Sequence, residues 1–234
     1  MLETPHPMAV RRTVSFCEAV ILDEIRVEGV TAIRADGVEE ARQAWRAGRI
    51  AVIADPEWRF MALLQPDVLV DAVVAKRNLG TRIGDAPLVI GLGPGFAAGK
   101  DAHRVVETNR GHNLGRVIAS GCAEPNTGIP GVIGGFGAER VLKAPADGAF
   151  TACRRIGEMV QPEDRVGDVA GVPVSAAIAG VLRGLIRSGA TVGKGRKVGD
   201  VDPRGRAEHC HTISDKARAV AGGVLEAILE RFNG

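Results

Sequence analysis

Along the chain the apolar positions change period repeatedly, and each change marks an element. In VRRTVSFCEAVI, residues 10–21, Val10, Val14, Cys17, Val20 and Ile21 share one face of a 3.6-residue repeat, which predicts an amphipathic helix. The following IRVEGVTAIRAD alternates about Gly29 as a hairpin does, and GVEEARQAWRAGR returns to helical spacing until Gly48 stops it. Three continuous apolar runs come next, IAVIADP at 50–56, DVLVDAVVA at 67–75 and PLVIGLGPG at 87–95. Runs of that length, ending in polar or glycine residues, predict strands buried on both faces of a parallel sheet, where ligands gather at the carboxyl ends.

From residue 141 short β runs broken by glycine take over. Residues 145–170 lie over 177–202 without a gap, pairing Gly148 with Gly180, Arg155 with Arg187, Gly157 with Gly189, Val160 with Val192, and one VGDV run with the other. A unit this small cannot bury its own apolar face, so two copies predict a small β sandwich or barrel with pseudo-twofold symmetry. The tail, SDKARAVAGGVLEAILERF, offers Ser214 as an N-cap and places Ala217, Val220, Ala221, Val224, Leu225, Ile228, Leu229 and Phe232 at helical spacing. Gly222 and Gly223 in its middle cost about 1 kcal/mol each relative to alanine. Close packing of another backbone, such as that of a second subunit, would offset this, so a homo-oligomer is expected.

Composition narrows the classes. The chain has 234 residues, 45% hydrophobic and 25% charged, which suits one large or two small globular domains. A net charge of +2, six Phe, two Trp and no Tyr leave little with which to displace counterions or stack bases, so no nucleic-acid partner is expected. The four cysteines, at 17, 122, 153 and 210, form no C-x-x-C pair and read as free thiols of a reducing cytoplasm. No apolar run has the length of a membrane span, and MLETPHPMAVRR lacks the apolar core of a signal peptide, so a cytoplasmic protein with no membrane partner is expected.

APADGAF and RIGEMVQPEDRVGDV, followed by AAIAGVLRGLIRSGATVGKGRKVGDV, resemble the two half-motifs of biotinyl and lipoyl carrier domains, the barrel-sandwich hybrid fold. Those carriers hold their prosthetic group on a lysine at the hairpin between the halves. Here the hairpin reads Ala170-Gly171-Val172-Pro173-Val174, so no biotin or lipoyl attachment is expected and the module reads as a structural or docking element. Over nearly its whole length the chain resembles the YqeB family, accessory proteins of the selenium-dependent molybdenum hydroxylase system. The phrases that carry this include PMAVRRTVSFCEAV, DVLVDAVVAKRNLGTRIGDAPLVIGLGPGFAAG, VVETNRGHNLGRVI, PNTGIPGVIGGF, ERVLKAPADG and HTISDKARAVAGGVLEAIL. The resemblance implies a maturation role toward a molybdenum hydroxylase client and binding of molybdopterin or its dinucleotide form, and it leaves open whether a reaction is catalysed. Members of that family begin earlier, with a strand, a Gly-Ala-Gly-Asp type turn and a helix, a unit expected to be missing here. The expected architecture is α/β: an incomplete Rossmann-like parallel sheet over 1–140, a β-rich barrel-sandwich hybrid over 141–205, and a C-terminal helical segment over 206–234.

Candidate chemistry sits on the loops. GLGPGF at 91–96 follows a predicted strand, and Gly93 and Gly95 would turn backbone N–H groups toward an anion such as a phosphate; the alternative is a turn that merely leaves the sheet. Lys76, Asn78 and Thr81 in AKRNLGTR would meet the same ligand at the sheet's carboxyl edge, or form a solvated loop. Arg11 and Arg12 grip a phosphate or line a helix's polar face. ETNRGHNLGR contributes Arg110 and Asn113, with His112 as a weak candidate acid or base, and EPNTGIPG adds Asn126 and Thr127 on a turn. Cys122 is the candidate thiol for a second reading, a sulfur- or selenium-transferring enzyme acting on the molybdenum centre; a third reading is a scaffold without a ligand. HCH at 209–211 would put His209 and His211 on one face of a strand, but no second ligand pair has metal spacing, so no metal is assigned.

Overall fold

The structure, a computed structural model, describes residues 1–233. Its first segment builds a four-stranded sheet of β1 (Leu2–Glu3), β2 (Glu24–Val27), β3 (Val30–Arg34) and β4 (Ile50–Ala54), in the order β1-β4-β3-β2. The expected hairpin is β2 with β3, antiparallel and turning at Glu28 and Gly29, both at positive φ. β3 and β4 run parallel. The region expected to be one helix over 10–21 is instead two 3₁₀ turns, Arg12–Val14 and Phe16–Glu18, running into the single turn α1 (Ala19–Leu22). The cause is a competing partner. Val10 O accepts from Leu185 N at 2.8 Å and Arg12 Nε donates to Leu185 O at 2.8 Å, which holds the start of the segment extended against a distant strand. The helix expected after β3 forms as α2 (Val38–Arg46), and its Ala41 and Ala44 bury against Ala51 and Ile53.

The next segment carries α3 (Met61–Leu64), β5 (Val68–Asp71), β6 (Leu88–Leu92), β7 (Ala97–Ala98), β8 (Arg104–Val106), β9 (Val117–Ile118) and β10 (Gly121–Cys122). β5, β6 and β8 are parallel neighbours and β9 closes that sheet antiparallel, in the order β5-β6-β8-β9; β7 and β10 form a separate antiparallel pair. All residues of β6 are buried, which is why its run is apolar without alternation. The three apolar runs read as one sheet therefore fall in two: the first is β4, beside β1 and β3, and the other two are β5 and β6.

The duplicated region holds β11 (Val141–Lys143), β12 (Gly148–Ala152), β13 (Met159–Val160), β14 (Arg165–Val169), β15 (Val172–Ser175), β16 (Gly180–Leu185), β17 (Thr191–Val192) and β18 (Lys197–Asp202). The offset that carries Gly148 to Gly180 also carries β11 onto β15, β12 onto β16, β13 onto β17 and β14 onto β18. These strands form two sheets, β15-β14-β12-β17 and β11-β18-β16-β13. The central pair of each copy is thus flanked on both sides by strands of the other. The exchange is reciprocal to the hydrogen bond: Gly157 N donates to Leu182 O at 2.9 Å and Gly189 N to Phe150 O at 2.8 Å. Phe150, Val160, Leu182, Leu185, Val198 and Val201 fill the interior between the copies. Gly148 and Gly180 sit at φ 143° and 157°, a region closed to other L-residues, which is why both copies kept glycine there.

The chain ends in α4 (Asp215–Phe232), with Ser214 Oγ accepting from Ala217 N at 3.3 Å as its N-cap. Contacts gather the chain into two units, Met1–Phe60 with Pro130–Thr212, and Met61–Ile129 with the segment from Ile213 onward. The expected boundaries at 140 and 205 both lie inside the first unit. Among the described residues no helix is long and apolar enough to cross a membrane.

Candidate functional site

In the second unit the carboxyl ends of three parallel strands open onto one groove. β5 runs out through Val74, β6 ends at Leu92, and β8 is followed by Thr108; these residues meet Ser214, Lys216, Ala217, Val220, Ala221 and Val224 of the α4 entrance and first turns. The cavity measures about 480 Å³, within the range of small-molecule sites. Its walls are chiefly apolar. Helix and sheet are held together by Leu88, Ile90, Val106, Val220, Val224 and Ala227, and Gly223 lies directly on the Gly115 backbone, so one of the two helix glycines makes its close approach within the chain, while a Cβ on Gly222 would meet nothing within 4 Å.

Two polar groups face this groove without partners. Thr108 is 8% exposed, and among the described residues its hydroxyl has no hydrogen-bond partner. The Lys216 ammonium likewise has neither a hydrogen bond nor an ion pair among them. Burial pushes the Lys216 pKa down, and the nearby charges of Arg110 and Lys76 lower it further, against opposing pulls from Glu107 and Asp215. Those two carboxylates are committed elsewhere. Asp215 makes a bidentate pair with Arg110 at 2.7 and 3.1 Å. Glu107, 2% exposed, accepts from the backbone N–H of Thr108, Asn109 and Glu124, each at 2.7 Å.

The groove's outer wall is strained. Val74 and Lys76 hold φ at 54° and 65°, and a β-branched residue in that region is a clear outlier. Two of the three glycines of GLGPGF, Gly93 and Gly95, serve this arrangement by being small. A Cβ on Gly95 would lie 2.7 Å from the Arg77 backbone, and one on Gly93 would collide with the Thr108 hydroxyl. Gly93 N–H is spent on Val106 O at 2.9 Å.

The structure brings Lys76, Asn78, Thr81, Gly93, Gly95, Arg110, His112, Asn113, Cys122, Asn126 and Thr127 into the second unit and places Arg11 and Arg12 in the first. Within the second unit several have structural duties. Asn78 closes its own turn, with Oδ1 accepting from Gly80 and Thr81 N–H, and Thr81 Oγ1 donates to buried Asp71 at 2.6 Å. Asn113, with Asn109, holds Glu124, whose carboxyl these bonds keep below its ordinary range. Asn126 accepts from Lys76 Nζ at 2.9 Å, and Thr127 caps the turn at Ile129. His112 and Cys122 are exposed and do not line the groove. Arg11 donates to His209 O and Thr212 O, while Arg12 holds Leu185 O and lies 3.9 Å from Glu18.

His209 falls in a 3₁₀ turn, Ala207–Cys210, with His211 just beyond it, so the expected strand geometry of HCH does not arise; His209 lies 3.5 Å from Asp202. Thr108 and Lys216 were not singled out by sequence. The one signal available was Lys216's place two residues after the Ser214 cap, where a helix N-terminus favours anions.

No family model matches the chain. It is 47% identical over 229 residues to the protein YqeB of Escherichia coli (strain K12), a match covering 98% of this chain and 42% of that protein. The chain therefore spans well under half the length of this curated relative. Two solved structures share short stretches: an aspartoacylase family protein from Mesorhizobium loti, 21% identical over 27% of this chain and 23% of its own with a TM-score of 0.25, and a succinylglutamate desuccinylase/aspartoacylase from Rhodobacter sphaeroides, 23% identical over 27% and 22% with a TM-score of 0.23. Likeness at that level carries no argument about this fold or its chemistry.

Proposed function

The chain is YqeB-related along nearly its whole length, and on that premise we propose that it acts in the cytoplasm as an accessory protein for maturation of selenium-dependent molybdenum hydroxylases. In this reading it holds a molybdopterin-type cofactor, or its nucleotide form, at the carboxyl edge of the β5-β6-β8 sheet. One observation carries it: a partnerless Thr108 hydroxyl and a Lys216 ammonium without a counter-ion face an apolar groove that Lys76 and Arg110 also make positive. An anionic cofactor with an apolar portion suits that lining. When bound, such a cofactor supplies the redox centre of the client enzyme. The chain's own residues bind its anion, orient it and shield its rings from water.

The parallel sheet serves as a Rossmann-like platform. The duplicated module, read as a barrel-sandwich hybrid, presents Ala170 and Gly171 at its hairpin and has no lysine there, which favours docking of the client over carrying a group.

Native mass spectrometry of the full chain, purified from cells that make the molybdenum cofactor, tests this. A bound mass matching molybdopterin or its dinucleotide is expected, lost in Lys216→Gln. Protein that is empty before substitution would overturn the cofactor assignment and favour the scaffold reading.

A further inference from the structure

The ends of the groove differ in chemistry, and that difference orients a ligand. At the α4 entrance stand the Lys216 ammonium, the Thr108 hydroxyl and the capped first turn of an 18-residue helix, whose N-terminal N–H groups carry partial positive charge. The wall of Val74, Leu92, Val220, Ala221 and Val224 carries no polar side chain. Thr108 is 8% exposed and lines this groove, and among the described residues its hydroxyl has no protein partner, so it is left to bond with what enters the groove.

We infer that the groove seats an amphipathic phosphomonoester end-on, its phosphate between Lys216 and Thr108 and a flat apolar body along Val74, Leu92, Val220 and Val224. This rests on the reading of the carboxyl edge as an anion site and adds the head group and its orientation.

The charges argue for a dianion over a monoanion. Lys76, Arg110 and Lys216 are the cations around the head position, and Glu107 and Asp215 the carboxylates. Asp215 is paired with Arg110 and Glu107 with three backbone N–H groups, so Lys216 and Lys76 are left with no carboxylate within ion-pair distance among the described residues. A phosphate monoester brings two charges and three acceptor oxygens, enough for the Lys216 ammonium and the Thr108 hydroxyl with a second charge to answer Lys76 nearby, where a carboxylate brings one charge and two oxygens. The apolar wall adds affinity only for a ligand with a body to bury.

Isothermal titration calorimetry of the whole chain with inorganic phosphate, phenyl phosphate and benzoate separates these elements. Phenyl phosphate is expected to bind roughly tenfold more tightly than inorganic phosphate, the gain of burying most of a ring, and more tightly than benzoate. Lys216→Gln is expected to weaken both phosphates by about 10- to 100-fold and Thr108→Val by roughly tenfold. Val74→Asn removes part of the apolar wall at an exposed position whose backbone suits asparagine, so it keeps the fold; it should weaken phenyl phosphate while leaving inorganic phosphate unchanged. Equal affinity for the two phosphates, or tighter binding of benzoate, would overturn the assigned orientation and head group and leave the anion site standing. Binding of none of the three would overturn both.

Discussion

Val74 pays for its position in the groove wall. Its φ of 54° puts a branched Cβ against its own backbone, at a cost of about 1–3 kcal/mol, and the residue is still 41% exposed. Asparagine tolerates that conformation far better. Val74→Asn is therefore expected to raise the melting temperature, by roughly 2–4 °C for each 1 kcal/mol relieved in a protein of this size, and differential scanning calorimetry would show it. An unchanged or lower melting temperature would mean that the valine is not strained. Periodicity could not reveal any of this, because DVLVDAVVA reads as one uninterrupted strand, whereas β5 stops at Asp71. The carboxylate of Asp71 explains the stop: it accepts from Val73 N–H and Thr81 Oγ1 and turns the chain out of the sheet.

The repeated VGDV strands show how one element can be copied and then specialised. In β14 Asp168 pairs with Arg165 at 2.9 Å, and in β18 Asp200 pairs at the matching position with Lys197 at 3.0 Å. The second aspartate is 1% exposed, and Arg140 and Arg183 close over it, while Asp202 nearby is held by Arg183 and Arg204. Burial alone would push both carboxyls up. For Asp200 the charges of Lys197, Arg183 and Arg140 outweigh it, for Asp202 the bonds from Arg204 and the charge of Arg183, and both pKa values end below the ordinary range. A carboxyl depressed in the folded state stabilises fully above its unfolded value near 3.9, and that contribution is lost as pH falls toward the folded value. Thermal melts should thus drop below about pH 4. Asp200→Asn is expected to cost about 3 kcal/mol or more at neutral pH by stranding its arginines, and to flatten the acid slope; an unaltered slope would place the acid sensitivity elsewhere. The repeat was legible because glycines and valines at fixed offsets are packing requirements. The buried charges were not, since Arg140 and Arg183 look like surface residues until the strands are paired.

Across the whole molecule, legibility followed sequence distance. The β2-β3 hairpin, α2, β6 and α4 were each predicted from contiguous residues, and each forms near its predicted place. What could not be read was which distant segments meet. Residues 61–129 join the helix that begins at Asp215, and the duplicated strands lie between them in sequence. For the same reason the groove's loops were marked while Lys216 was not.

The exchange of flanking strands in the duplicated module has a consequence for its ancestry and folding. A single copy, β11 to β14, contains a seat for two strands it does not own and two strands with nowhere of their own to go. Made alone, residues 141–171 are expected to rebuild the module by pairing with an identical chain, seen as a twofold mass in sedimentation. A folded single chain would show that the lending is dispensable. In the intact protein, neither copy can lose its shape and leave the other with its own.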